Sequence, residues 1–250
     1  MKIVQFEHHG STVWGSLHNE NIHILTGDIF SGATETNEVV PLSQVKLLPP
    51  IAPPKIIGIG LNYKAHIKES PFPAPEVPLM FLKATTSVIG HLDTIILPPD
   101  AKKVEYEGEL GIVIGKKASH VSEAEAMNYV LGCTVVNDIS ARDYHAQDKS
   151  FCRSKGVDTF CPFGPCIVTG LDPSNLKIET RLNGKTVQSS DTSDLLFNVP
   201  QLVSFASRYM TLLPGDLIAT GTPGGVGAIK KGDVLEVEVE GVGVLKNFVC

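Results

Sequence analysis

Glu107 and Glu109 in VEYEGELGIVIG, together with Asp138 in CTVVNDISARD, are the residues of this chain best suited to hold a metal ion. The segment that contains the two glutamates reads as a β-strand, so side chains two apart point to one face. Two carboxylates side by side repel each other unless a cation lies between them. Asp138 follows a second apolar run, Val130 to Val136. Three carboxylates without a soft partner suit a hard divalent ion such as Mg²⁺, Mn²⁺ or Ca²⁺. Spacing alone leaves open a solvated acidic edge.

Other candidates surround this trio. His66 and Glu69, three apart in NYKAHIKE, share a face on a helical turn, where a carboxylate can orient an imidazole and make it a general base. An ordinary surface His–Glu pair has the same spacing. Lys155 in RSKGVDTF is a cation that could neutralise a substrate carboxylate or an enolate, and its alternative is a solvated lysine. Lys83 lies inside the apolar strand MFLKATTS, where lysine is rarely buried without a partner. The glycine-rich ATGTPGGVG could bring backbone N–H groups and the Thr222 hydroxyl to an anion, or simply turn between strands; it lacks the spacing of a nucleotide-binding loop. Asn137, Asp138, Arg142 and Asp143 cluster after an apolar run, as at a strand end that supplies a metal ligand or at a helix capped by Asp138. Cys161 and Cys166 form a C-x₄-C with no matching pair, which points to reduced thiols rather than zinc.

The elements that must carry these residues are mostly strands. Residues 1–50 form a small β-rich unit, KIVQFEH, STVWGSLH and NIHILTG, and Pro49, Pro50, Pro53 and Pro54 mark the boundary with residues 51–250. KIIGIG, LMFLKATTSVIG, TIILP, GELGIVIG and VLGCTVVND are strand-like, and Asn183-Gly184 between alternating runs signals a hairpin. Helices are expected at KAHIKES, at SHVSEAEAMNYVLG behind a Ser122–Glu125 capping pattern, and at Pro200–Tyr209. The four prolines of ESPFPAPEVP require an irregular loop. The pattern is mainly β with short helices, an α+β chain without βαβ alternation. A net charge of −6 without a basic tract argues against nucleic acid as a partner. No long apolar stretch or apolar leader is present, so no membrane span is expected and the cytoplasm is the default.

Taken together, GIGLNYKAHIKE, PLMFLKATTSVIGH, VEYEGELGIVIGKKA, GCTVVNDISARDY, RSKGVDTFCPFGP, LNGKTVQ, PGDLIATGTPGGVG and KGDVLEVEVEGVG, in this order, closely resemble the fumarylacetoacetate hydrolase family in its short prokaryotic form. The resemblance covers about residue 55 to the C-terminus. It implies a mixed β-sandwich roll behind the small N-terminal β domain, a homodimer, and bound Mg²⁺ or Mn²⁺, with Ca²⁺ able to take the place in crystals. It assigns Glu107, Glu109 and Asp138 to the metal, and His66, Glu69 and Lys155 to catalysis. Tyr63, Lys83, Arg142, His145 and Thr222 are assigned to substrate binding. It departs from the pattern at His145, where members commonly have Gln, at Phe151, often Trp, and at Leu61, where some carry Arg.

The implied substrates are 2-oxo acids or their enols, small molecules that chelate a metal through carboxylate and keto oxygens. The implied reactions pass through an enolate. C–C bond hydrolysis or keto–enol isomerisation in the breakdown of aromatic-derived acids is the expected chemistry. The alternatives are an oxaloacetate-type decarboxylase or tautomerase, or a catalytically silent protein that binds a small acid.

Overall fold

The computed structural model describes residues 1–69 and 73–250. Four strands, β1 (Lys2–His8), β2 (Ser11–His18), β3 (Asn21–Thr26) and β4 (Thr34–Pro41), form an N-terminal meander. They are followed by β5 (Ile56–Gly60), α1 (Lys64–Glu69), β6 (Leu79–Lys83), β7 (Val104–Tyr106), β8 (Gly108–Ile114) and β9 (Val130–Asn137). Two short helices, α2 (Arg142–Asp148) and α3 (Phe151–Lys155), precede β10 (Cys161–Val168) and the hairpin of β11 (Lys177–Leu182) and β12 (Lys185–Asp191). Helix α4 (Val199–Tyr209), β13 (Leu217–Ala219), β14 (Val234–Val239) and β15 (Gly243–Val249) complete the chain. The fold is mostly β, as expected.

One large sheet runs β4-β3-β2-β1-β10-β9-β8-β13-β5-β6. The first strand pairs with β10 (Lys2 opposite Val168), so the N-terminal meander extends this sheet. A second sheet, β12-β11-β14-β15 with Thr94–Ile95 at its edge, packs over the first. Every residue of β8 is buried. Leu110, Ile112 and Ile114 face a core shared with Ile178, Val237 and Leu245 of the second sheet and with Leu202, Val203 and Ala206 of α4. Val113 packs in a separate core with Val136, Leu217, Ile56 and Phe163. A strand covered on both faces reads as a continuous apolar run, which is why GELGIVIG lacks alternation. Gly108 permits the close approach of the sheets, since a Cβ there would lie 2.1 Å from Thr180 Oγ1.

Local signals account for several elements. The β11–β12 turn places Asn183 and Gly184 at φ 53° and 78°, the left-handed pair that a two-residue hairpin needs. Helix α4 opens with a full capping box: Asn198 accepts from the Gln201 N–H at 3.0 Å, and Gln201 accepts from the Asn198 N–H at 2.9 Å.

The helix expected in SHVSEAEAMNYVLG does not form. Only a 3₁₀ turn, Ala126–Tyr129, is present, although Ser122 does bond Glu125 at 2.7 Å. The Tyr129 carbonyl is taken by the Gly115 N–H at 2.7 Å, which draws the chain into the β8–β9 ladder instead of a helical register. Of the expected irregular loop ESPFPAPEVP, Ser70, Pro71 and Phe72 lie outside the described residues, and 73–78 carry neither helix nor strand.

Candidate active site and metal centre

The carboxylate trio is assembled by the register of β8 and β9. Gly108 pairs with Asn137 and Glu109 with Val136, and the Asp138 N–H donates to the Glu107 carbonyl at 2.8 Å. Asp138 therefore lies directly across from Glu107, and opposed residues on neighbouring strands project to one face. Glu107 falls at the break between β7 and β8 rather than inside one strand. All three carboxylates are buried, and one oxygen of each lies within 4.8 Å of the others. Asp138 caps no helix: the residue before α2 is Ala141, which makes no side-chain cap.

Three cations from separate elements converge on the trio. Lys155, the last residue of α3, donates to Glu107 Oε2 at 2.8 Å and to Asp138 Oδ2. Lys83, at the end of β6, donates to Asp138 Oδ1 at 2.5 Å and to the Lys155 carbonyl at 2.6 Å. Arg142, the first residue of α2, reaches Glu105 Oε2 at 2.5 Å and also bonds Glu107. Burial pushes the Glu107 carboxyl up, but Lys155 and Arg142 outweigh it and hold the group well below the ordinary range. Glu109 goes the other way: burial, then the neighbouring Asp138 and Glu107 charges, raise it well above 4.5, and the Gly221 N–H at 2.8 Å does not compensate. Burial opposes the charge on Lys155, yet Asp138 and Glu107 raise its pKa. A buried carboxylate destabilised by its own kind is the signature of a site that gains from a cation. Hard oxygen donors in this number fit a divalent ion such as Mg²⁺ or Mn²⁺.

Glu107 of the trio lines a cavity of about 740 Å³. Ile59, Leu61, Leu79 and Phe151 form an apolar wall, and Lys103, Glu105, Glu107, Arg142 and Lys155 form a charged one. His66, Glu69, His145 and Thr222 also face this space. His66 Nδ1 is buried without a hydrogen bond, 3.9 Å from Glu69 Oε2. That is too long for a hydrogen bond and close enough for charge attraction. His145 stacks on Phe151 with ring centroids 4.5 Å apart, Phe151 meets Phe81 at 4.8 Å, and Lys155 Nζ sits 4.9 Å over the Phe81 ring. Burial, with Arg142 and Lys155 nearby, lowers the His145 pKa. Leu61 holds φ at 51°, a strained value for leucine.

Of the expected substrate contacts, Tyr63 and Lys83 lie outside the lining of the cavity, whereas Thr222 is part of it. Tyr63 is fully buried in the main core, and its hydroxyl has no partner. Lys83 is spent on Asp138 and on the end of α3, behind the cavity rather than on its wall. Thr222 lines the cavity, but its hydroxyl donates to the Gly108 carbonyl at 2.9 Å and accepts from Gln188 Nε2 at 2.9 Å. The glycine-rich loop does present an N–H to an acid group, and that group is the Glu109 carboxyl. Glu105, Lys103 and Gln188 were not singled out by sequence. Glu105 stands two before Glu107, the same spacing that draws attention to Glu109, whereas nothing local marks Gln188.

The family model described as Fumarylacetoacetate (FAA) hydrolase C-terminal matches residues 55–250, and the model described as Rv2993c-like, N-terminal matches residues 1–50. The chain belongs to the fumarylacetoacetate hydrolase family. It is 44% identical over 223 residues to a mitochondrial oxaloacetate tautomerase of Rattus norvegicus, a match covering 84% of this chain and 71% of that protein. Among solved structures it superposes on a 2-hydroxyhepta-2,4-diene-1,7-dioate isomerase from Mycobacterium marinum with TM-score 0.94 and 39% identity, covering 100% of this chain and 98% of that one. A maleylpyruvate hydrolase from Sphingobium gives TM-score 0.84 and 29% identity, with 100% and 99% covered. No helix among the described residues is long and apolar enough to cross a membrane.

Proposed function

We propose that this protein is a divalent-metal-dependent enzyme that interconverts the keto and enol forms of a short 2-oxo diacid of the oxaloacetate class. The observation that carries this reading is the buried trio Glu107, Glu109 and Asp138, whose Glu107 lines a cavity together with His66 and Arg142. Charge supports the diacid. Around the trio, the acids Glu105, Glu107, Glu109 and Asp138 are matched in number by Lys83, Lys103, Arg142 and Lys155. A dication adds two positive charges to this group, and a dianionic substrate would offset them. The oxaloacetate tautomerase relatives point the same way.

A bound dication would supply Lewis-acid polarisation of the keto oxygen and offset the enolate charge. The rest falls to the chain. Arg142 commits two N–H groups to Glu105 and Glu107, and its remaining donors serve the substrate carboxylate. His66 takes the proton from the carbon beside the keto group through its ring, and the Glu69 carboxylate stabilises the imidazolium that results. Return of that proton to the enolate oxygen completes the tautomerisation, with no water consumed. The apolar wall of Ile59, Leu61, Leu79 and Phe151 keeps water away from the reacting carbon, which favours proton transfer over hydrolysis.

The test uses chelator-stripped protein with Mg²⁺ or Mn²⁺ restored. Enol oxaloacetate should convert to the keto form faster than in metal-only controls. His66→Gln should cost about 10²–10⁴ in rate while metal binding stays intact. Conversion at the control rate with every metal, alongside turnover of acetylpyruvate, would replace tautomerisation by C–C hydrolysis; no turnover of either would leave a small-acid binder.

A further inference from the structure

A second group of metal-ligating side chains lies on the N-terminal meander and shares no residue with the cavity. His8 ends β1, His9 follows in the turn, and Glu38 comes from β4; one ligand atom of each lies within 4.8 Å of the others. His8 Nε2 is 2.8 Å from Glu38 Oε1. In a continuing strand His8 and His9 would project to opposite faces. Here the turn holds His9 at φ 50° and Gly10 at φ 76°, which swings the second imidazole beside the first, with ring centroids 4.1 Å apart. His8 is further fixed by an edge contact with Phe6, whose ring belongs to the main core. Both imidazoles and the carboxylate are accessible, His8 being the most covered at 19% side-chain exposure.

We propose that His8, His9 and Glu38 form a binding site for a borderline divalent metal, Zn²⁺ or a similar ion, distinct from the hard-oxygen trio of the cavity. Two imidazoles and a carboxylate are the donor set such ions select, and a fourth position would stay open to water. Ligand atoms around tetrahedral zinc lie roughly 3.3 Å apart at Zn–N distances of about 2.0–2.1 Å. The His8–Glu38 pair would therefore open by about half an ångström to admit the ion. Metal binding calls on the imidazoles in their neutral form. The ion would tie the end of β1 to β4, two strands separated in the sheet by β2 and β3. It would thereby raise the resistance of the meander to unfolding.

The experiment uses the untagged full chain, stripped with chelator and then held in excess Mg²⁺ so that the oxygen trio is taken. Zn²⁺ is titrated in calorimetrically. One equivalent should bind, with a matching rise in Tm. His9→Asn keeps a residue that tolerates the left-handed turn and removes the imidazole; it should weaken Zn²⁺ by about tenfold or more and abolish the Tm rise. Mg²⁺-dependent tautomerisation by this variant should be unchanged. Glu38→Gln should also weaken binding. Zn²⁺ affinity within about twofold of wild type in both variants would overturn the assignment. So would loss of binding on His18→Gln with His9→Asn unaffected, which would move the ion to the neighbouring His18–Glu35 pair.

Discussion

Lys155→Met tests whether one ammonium and one dication compete for the same carboxylates. Lys155 is 3% exposed and bonds both Glu107 and Asp138. Methionine keeps the length of the stem and removes the charge. Breaking a buried ion pair from one side costs about 3–5 kcal/mol, because the remaining charge is left without compensation. In a domain of this size each kcal/mol moves Tm by about 2–4 °C, so the chelated variant should melt roughly 6–20 °C below wild type. Mg²⁺ should then act unequally. In wild type it must share the trio with the ammonium, whereas in the variant it meets the carboxylates alone. A tenfold gain in affinity corresponds to about 1.4 kcal/mol, so at saturating Mg²⁺ the Tm gap should narrow by at least about 3 °C. Differential scanning calorimetry with and without Mg²⁺ reads both numbers. A gap that stays constant or widens in Mg²⁺ would refute the idea that lysine and metal answer to the same three carboxylates.

Two further outcomes follow from the same geometry. Burial and the neighbouring Asp138 and Glu107 charges raise the Glu109 pKa well above the ordinary carboxylate value, which favours its protonated form in the ion-free protein. Metal must compete with that proton, so apparent Mg²⁺ affinity should fall as pH falls, and calorimetry in two buffers of different ionisation enthalpy should detect proton release on binding that Glu109→Gln reduces. Tyr63→Phe removes a buried hydroxyl that has no partner, so Tm should hold or rise by about 2–4 °C and turnover should stay within about twofold; a tenfold loss of turnover would place that hydroxyl on the substrate.

How far the site could be read from sequence depends on the range of the interaction concerned. The His66–Glu69 pair rests on four residues of α1, and Glu107 with Glu109 rests on a two-residue period; both are local and both were legible. Asp138 was legible as a strand end, yet its position opposite Glu107 is a fact of the β8–β9 register. Glu105 was missed because its role depends on Arg142, which reaches it only once Glu105 pairs with Ser140 across strands. Lys83 and Tyr63 lie in motifs that carry site residues, and neighbours in a motif need not share a side. Lys83 turns under Asp138, and Tyr63 turns into the core beside Leu195. Ser122–Glu125 made its local bond without the helix it announces, since the β8–β9 ladder claims the next turn.

The placement of the trio explains why so many cations surround it. Carboxylates at the end of strands buried on both faces lie where water screens little, and each uncompensated charge there is expensive. Compensation arrives from β6, α2 and α3 through Lys83, Arg142 and Lys155, three segments that meet only in the finished fold. Lys83 binds both Asp138 and the carbonyl that ends α3, so the same ammonium that neutralises a candidate metal ligand also fixes the helix that delivers Lys155. Docking of α3 and charging of the trio are therefore one event. A chain in which α3 failed to seat would leave Glu107 with Arg142 and Asp138 with Lys83 as their remaining cations. The finished fold thus brings cations to Glu107 and Asp138, while the Glu109 carboxyl accepts from the Gly221 N–H.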